Sequence, residues 1–196
     1  MTVATSSRVV VVGSLVWISL AVAAGVTGAF AALRPPGPQL VILALTIASI
    51  IATTWAPSVR AWVDTLSLRA LVGLHVVRFV GAVFLLLSAR GLLSPVFAMR
   101  AGWGDVVAAA AALGLIAVGP PSGALRRGLY LTWNVFGVLD LLVAVGTATM
   151  VVLHGDVPGM DPILRFPLIL VPTFFVPLLF ASHVVVFRRL AARTVA

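Results

Sequence analysis

The chain has 196 residues, of which 62% are hydrophobic and only 9% are charged. Soluble domains carry about 25% charged residues, so this composition excludes a water-soluble globular protein. The formal net charge of +8 does not indicate nucleic-acid binding, because the arginines stand singly or in pairs at the ends of apolar runs, where basic residues orient membrane helices. The chain has no cysteine, which excludes disulfides, thiolate metal sites and iron–sulfur clusters.

Five of the six apolar runs approach or exceed the roughly 20 residues that an α-helix needs to cross a bilayer, and the fourth, over 105–118, is shorter. The period-2 alternation of an outer-membrane strand is missing. We therefore predict one all-α integral membrane domain over residues 1–196, a six-helix transmembrane bundle. The first run is longer than the roughly 7–15 apolar residues of a signal peptide, so we expect a retained span. The predicted spans are 9–33, 39–55, 67–87, 105–118, 128–153 and 162–187.

Breaks between the runs are rich in proline, glycine and arginine. Arg34-Pro35-Pro36-Gly37-Pro38 separates the first two spans, and Pro57 with Arg60 and Asp64 marks a turn before the third. Proline has no backbone N–H and disfavours helix in the residue before it. The segment 88–104 mixes Pro95, two arginines and three glycines with apolar residues. We predict that this segment is a surface-lying or shallow re-entrant loop.

The sixth span contains Pro167, Pro172 and Pro177. Each proline removes a helical hydrogen bond, so we predict a sixth helix broken by prolines. In a membrane such breaks persist where protein or a cavity satisfies the freed backbone groups.

Arginine placement predicts the topology. Six spans put both termini on one side of the membrane. That side would hold Arg8, Arg60, Arg69, Arg126, Arg127, Arg188, Arg189 and Arg193, and the other side Arg34, Arg90, Arg100 and Arg165. Basic residues concentrate on the cytoplasmic side, so we predict that both termini are cytoplasmic and that the protein resides in the inner (plasma) membrane.

Polar residues inside the spans gather at similar depths. At about 1.5 Å of rise per residue, His75 and Arg78 of the third span lie in the cytoplasmic half, on one helix face. The same arithmetic places Asn134 and His183 near the depth of His75, and Asp140 beside Arg78. We predict a polar pocket in the cytoplasmic half of the bilayer, lined by these five residues.

Arg78 and Asp140 invite two interpretations. An ionised side chain in mid-membrane costs roughly 2.5–3.5 kcal/mol on insertion scales, and pairing offsets much of that cost. The two residues could form an ion pair that only fixes helix packing. They could instead line a cavity and handle a proton, an anion or a polar substrate group, because charges inside membranes are usually functional.

His75 and His183 offer a second reading, as the two axial ligands of a b-type haem. The paired-histidine repetition of two-haem cytochromes is missing, so we expect no cofactor and keep haem b as an alternative. In the simpler reading, His75 hydrogen-bonds Asn134 and His183 lies near the interface beside Arg188.

Asp105 follows Gly102-Trp103-Gly104 at the predicted outer start of the fourth span. There its carboxylate would cap the helix and suit the helix dipole, with Trp103 as an interface anchor. The functional alternative is an outer gate in which Arg100 pairs with Asp105. We expect no metal site, because His154, Asp156 and Asp161 are scattered through one solvated loop.

Three stretches carry a family resemblance: HVVRFVGAVFLLLSARGLLSPVFAMRAGWGD, WNVFGVLDLL and PLILVPTFFVPLLFASH. They resemble a family of small uncharacterised bacterial integral membrane proteins. The resemblance implies a polytopic bacterial membrane protein, and it brings no activity, cofactor or catalytic residue.

No nucleophile motif, metalloprotease motif, P-loop or dinucleotide fingerprint is present. We therefore predict a protein that binds or transports a small solute or a proton, with membrane lipid as its surroundings. Arg78 would hold an anionic group and Asp140 would balance charge or relay a proton. The alternatives are an intramembrane enzyme acting on a lipid or isoprenoid, with Asp140 as acid or base, and a haem-b electron carrier.

Overall fold

The computed structural model describes residues 3–155 and 157–192, and the regular structure of that part of the chain is entirely helical. The all-α prediction is thus confirmed. Six helical segments are long and apolar enough to cross a membrane: Thr5–Val26, Gly37–Trp55, Leu68–Ala89, Pro95–Val118, Ala124–His154 and Val171–Ala192. They are called the first to the sixth span below.

Several spans change helix type along their length. The third span is α-helical over Leu68–Gly73, 3-10 helical over Leu74–Val80 and α-helical again over Gly81–Ala89. The fourth consists of Pro95–Phe97, a π-helical turn over Ala98–Gly102, and the α-helix Trp103–Val118. The sixth begins with a π-helical turn over Val171–Phe175 and continues as the α-helix Val176–Ala192. The α-helix of the first span is Val3–Val26.

The chain forms two compact units. The first unit comprises the residues up to Ser67 together with Asp161–Ala181, and the second comprises Leu68–Met160 together with the residues from Ser182 on. The prediction of one membrane domain over residues 1–196 stays a prediction.

In the first unit, the first span packs against the short helix Pro57–Thr65. Trp17 anchors the span to the segment that opens the sixth, because its Nε1 donates to the Thr173 carbonyl at 2.9 Å and its ring meets Phe174 edge-on. The helix Pro57–Thr65 replaces the predicted turn. Pro57 stands at its first position, where proline costs no hydrogen bond.

The sixth span begins at Val171 rather than near residue 162. Before it, Asp161–Leu164 forms a 3-10 turn, and Pro167 lies in turns that precede the span. Pro172 lies in the π-helical turn and Pro177 in the following α-helix. That the prolines cause the change from π-helix to α-helix in the sixth span stays a prediction.

In the second unit, the 3-10 segment of the third span packs against the α-helix Trp103–Val118 of the fourth. The two spans approach closely where Gly81 faces Gly102, since a Cβ on Gly102 would lie 2.9 Å from the Gly81 carbonyl oxygen. Small residues at a crossing allow membrane helices this proximity.

The prediction of a loop over residues 88–104 is wrong for most of this segment, which is helical. The third span ends at Ala89, Gly91 follows with φ +69°, and helix resumes at Pro95. The Ser94 side chain accepts from the Phe97 N–H at 3.5 Å, and Pro95 occupies the first helical position. A serine cap followed by proline is a strong helix start, and it outweighs the glycines downstream, which serve packing.

Candidate functional site

The 3-10 segment of the third span positions the first two polar residues of the site. A 3-10 helix has three residues per turn, so side chains three apart are eclipsed. His75 and Arg78 therefore stand one above the other on the same face, and both are buried.

Arg78 joins two carboxylates from two other spans. Its Nε donates to Asp105 Oδ1 of the fourth span at 2.7 Å, and its Nη2 donates to Asp140 Oδ2 of the fifth. Its Nη1 also donates to the Gly137 carbonyl at 3.3 Å. We call Arg78, Asp105 and Asp140 the Arg78 cluster. The predicted proximity of Arg78 and Asp140 is present, and Asp105 completes the guanidinium's contacts.

The Arg78 cluster holds more acid than base. One guanidinium faces two carboxylates, and the three residues are only 1%, 6% and 8% exposed, in the order Arg78, Asp105, Asp140. A buried charge is costly unless it is paired. The cluster is electrically neutral only when the two carboxylates share one proton.

The Arg78 cluster also lies far from the ends of its helices. Arg78, Asp105 and Asp140 stand near the middle of the spans Leu68–Ala89, Pro95–Val118 and Ala124–His154. In helices of this length and composition, the middle is the most expensive place for a charge.

The two histidines form a second polar group beside the Arg78 cluster. His75 Nε2 lies 2.7 Å from Ser182 Oγ, and His183 Nδ1 lies 2.7 Å from Asn134 Oδ1. The two imidazole centroids are 4.3 Å apart, and Trp133 packs on both rings. We call His75 and His183 the histidine pair. His75 Nδ1 and His183 Nε2 are buried and have no hydrogen-bond partner among the described residues.

Two glycines make room for the polar side chains. A Cβ on Gly104 would overlap the Asp140 carboxylate, and a Cβ on Gly137 would overlap the His183 ring. The same Gly137 position lies 3.4 Å from Arg78 Nη1. Gly137 therefore borders both the Arg78 cluster and the histidine pair, which are neighbours within the second unit.

The structure brings together all five residues of the predicted pocket: His75, Arg78, Asn134, Asp140 and His183. That these five residues bind a ligand or a proton stays a prediction. His75 bonds Ser182 instead of Asn134, and Asn134 bonds His183. A haem held between His75 and His183 stays a prediction, and it requires the two rings to separate.

The other three predicted residues, Arg100, Trp103 and Asp105, do not lie together. Arg100 and Trp103 are exposed. Asp105 is buried and does not cap a helix start, because the helical residues Ala98–Gly102 precede it. It accepts from Arg78 instead, so Arg100 is not its partner in the structure. The prediction of an outer gate was based on a helix start near Asp105, and that start lies at Pro95.

Among the described residues, no group of three histidine, cysteine or acidic side chains is placed to hold a metal ion. Asp156 lies outside the described residues. His154 ends the fifth span, where its Nδ1 donates to the Met150 carbonyl at 2.7 Å.

Sequence reasoning missed Asp105 as a cluster member, and it missed Ser182 and Trp133. The pair Ser94-Pro95 was the available signal for Asp105, since it starts the fourth helix early enough to put Asp105 deep in the span. Trp133 donates its Nε1–H to the Ala108 carbonyl at 3.0 Å. Neither Trp133 nor Ser182 carries a sequence pattern that distinguishes it from an ordinary residue of an apolar helix.

Most of the chain matches one described protein family. Residues 35–191 match the family described as "Domain of unknown function (DUF8737)", so the chain belongs to that family. The match includes every residue of the Arg78 cluster and the histidine pair. No curated protein and no solved structure matches the chain.

Proposed function

We propose that this member of the DUF8737 family is a multi-pass membrane protein that binds or transports a small solute or a proton through the Arg78 cluster. Of the two ligands, the geometry favours the proton. The observation that carries this proposal is the ratio of two buried carboxylates to one guanidinium. A proton neutralises the excess carboxylate and adds no volume to a site that is already tightly packed.

The position of the Arg78 cluster supports transport rather than a purely structural role. A packing ion pair needs one acid for each base, and here the second acid comes from another span at 2.7 Å. Ionisable residues within membrane helices mark proton relays and substrate paths in many transporters. A group that changes its protonation near mid-span can be loaded from one side and unloaded to the other.

The topology belongs to the proposal. Both termini lie in the cytoplasm, the protein resides in a bacterial plasma membrane, and the polar pocket lies in the cytoplasmic half of the bilayer. The arginine distribution supports this orientation, although Arg193 lies outside the described residues. Alkaline-phosphatase fusions test it: a fusion in the loop at Gly91 should be active, and one in the loop at Gly119 should be inactive.

Proteoliposomes test the proposed function. Vesicles that contain the purified protein and an internal pH-sensitive dye are placed under a proton gradient with a potassium ionophore. The wild type should acidify the lumen, and Asp140→Asn should reduce the flux to that of protein-free vesicles. Asp64→Asn is the matched control, because Asp64 is a half-exposed acid on a short surface helix. Equal flux in wild type and Asp140→Asn would remove the proposal.

One contact supports a second candidate, an intramembrane enzyme acting on a lipid. Ser182 Oγ and His75 Nε2 are 2.7 Å apart, which is the distance of a nucleophile from its general base. His75 would take the hydroxyl proton while Ser182 Oγ adds to an ester carbonyl carbon, and His75 would return that proton to the alcohol that leaves as the ester C–O bond breaks. Water would then hydrolyse the acyl-serine. A fluorophosphonate probe that labels the wild type but not Ser182→Ala would favour this candidate. Absence of labelling in an active transporter would dismiss it.

A further inference from the structure

The hydrogen bonds around Asn134 determine which nitrogen of His183 carries the proton. The Asn134 side chain touches two groups, the His183 carbonyl oxygen at 3.1 Å and the His183 ring Nδ1 at 2.7 Å. A carbonyl oxygen only accepts, so the Asn134 atom beside it is the amide nitrogen. The atom beside the ring is then Oδ1, which only accepts. His183 Nδ1 must therefore be the protonated nitrogen.

This assignment leaves His183 Nε2 with a free lone pair. A neutral imidazole has one donor and one acceptor nitrogen, and the donor is Nδ1. Nε2 is buried and has no partner among the described residues. The contacts in the structure therefore fit a neutral ring, and Nε2 is its one nitrogen that can accept a proton.

The free nitrogen lies near Arg78, beside Gly137. A Cβ built on Gly137 would lie 2.6 Å from His183 Nε2 and 3.4 Å from Arg78 Nη1. The two nitrogens therefore border the same space beside Gly137. The charged and titratable groups near it are Arg78, with Asp105 and Asp140 bonded to it, and His75, whose ring centroid lies 4.3 Å from that of His183.

We propose that His183 Nε2 is the second proton-binding site of the protein, and that it exchanges the proton with the Arg78 cluster across the space beside Gly137. Asn134 is the positioning residue, because it holds the tautomer that leaves the Nε2 lone pair free beside Gly137. This inference rests on the proposed function and adds a named carrier to it.

The transfer balances without any other reactant. The shared proton leaves the carboxylates of Asp105 and Asp140 and binds the Nε2 lone pair, directly or through one water molecule. The Nδ1–H of His183 stays bonded to Asn134. The cluster then carries one net negative charge and the imidazolium one positive charge, so the total charge of the site is unchanged.

Nitrogen NMR of the full-length protein tests the assignment. With ¹⁵N-labelled histidine, the His183 signals are identified by their loss in His183→Gln. The expected spectrum has a protonated Nδ1 and an unprotonated Nε2. In Asn134→Leu, which removes the acceptor, the Nε2-protonated tautomer should appear. A wild-type spectrum with the proton on Nε2 would overturn the inference. This outcome is read from the wild-type protein, so it does not depend on whether Asn134→Leu folds.

Proton flux separates this inference from the proposed function. In the proteoliposome assay, His183→Gln should lower the flux by about a hundredfold or more, as expected for loss of an acid–base group. Asn134→Leu should lower it less, because the lone pair is misplaced only part of the time. Wild-type flux in His183→Gln, with flux abolished in Asp140→Asn, would overturn the second site and leave the proposed function standing. Wild-type flux in both variants would overturn the two together.

Discussion

Arg78 bonds Asp105 at 2.7 Å, and both side chains are buried near the middle of neighbouring spans. This contact changes the meaning of the Arg78–Asp140 pair. With Asp140 alone, Arg78 would belong to a neutral pair that could serve packing. With Asp105 as well, the site has one acid too many and requires a proton to be neutral.

Replacing Arg78 should be severely destabilising. Arg78→Gln leaves two carboxylates buried next to each other, and removing one partner of a buried ion pair costs about 3–5 kcal/mol. Thermal or chemical unfolding in detergent measures the loss. The control is Arg60→Gln, since Arg60 meets Asp64 at 3.8 Å with both side chains about half exposed. That exposed pair should cost less than about 1 kcal/mol, and equal losses in the two variants would refute a buried charge cluster.

The two carboxylates should compensate for each other. In Asp105→Asn or Asp140→Asn the remaining carboxylate balances Arg78, so each single variant should lose less than about 1.5 kcal/mol. The double variant leaves the guanidinium without any counter-charge and should lose about 3–5 kcal/mol. Unfolding of the four proteins gives the coupling between the sites. Strictly additive losses would show that Asp105 and Asp140 do not share one charge.

Gly104 should tolerate no side chain. The methyl group of Gly104→Ala would overlap the Asp140 carboxylate, and overpacking of this kind costs about 1–3 kcal/mol. Gly114 in the same span is the matched control, because a Cβ there meets nothing within 4 Å. Gly114→Ala should be neutral or slightly stabilising, since alanine favours helix over glycine. Comparable unfolding midpoints for the two alanine variants would contradict the close approach at Gly104.

The sequence was sufficient for the number of spans and for one half of the site, but it misplaced the starts of the fourth and sixth spans. Hydropathy and length predict helices, and the rise per residue placed Arg78 beside Asp140 and His75 beside His183. These depths were right because the predicted ends of the third and fifth spans agree with the structure to within a few residues. The same arithmetic failed for Asp105, because the proline and glycines before it indicate a loop, whereas Ser94 and Pro95 start a helix there.

The remaining contacts could not be derived from the sequence, because they depend on side-chain orientation. To predict the bond from His75 to Ser182, one must know which face of the sixth helix is turned toward the third span. An almost uniformly apolar helix has no polar stripe that indicates this face. Whether Asn134 bonds His183 or His75 depends on the same orientation of the sixth helix. Close approaches at Gly104 and Gly137 depend on helix crossings, and glycine alone does not predict where a crossing occurs.

Infrared spectroscopy of the purified protein at neutral pH tests the central claim most directly, because a protonated carboxyl has a C=O stretch that a carboxylate lacks. The wild type should show one such band, arising from the proton shared by Asp105 and Asp140. The band should disappear in Asp105→Asn and in Asp140→Asn, where the remaining carboxylate pairs fully with Arg78, and it should persist in Asp64→Asn. A wild-type spectrum without a protonated carboxyl, or a band that survives in both single variants, would contradict the account.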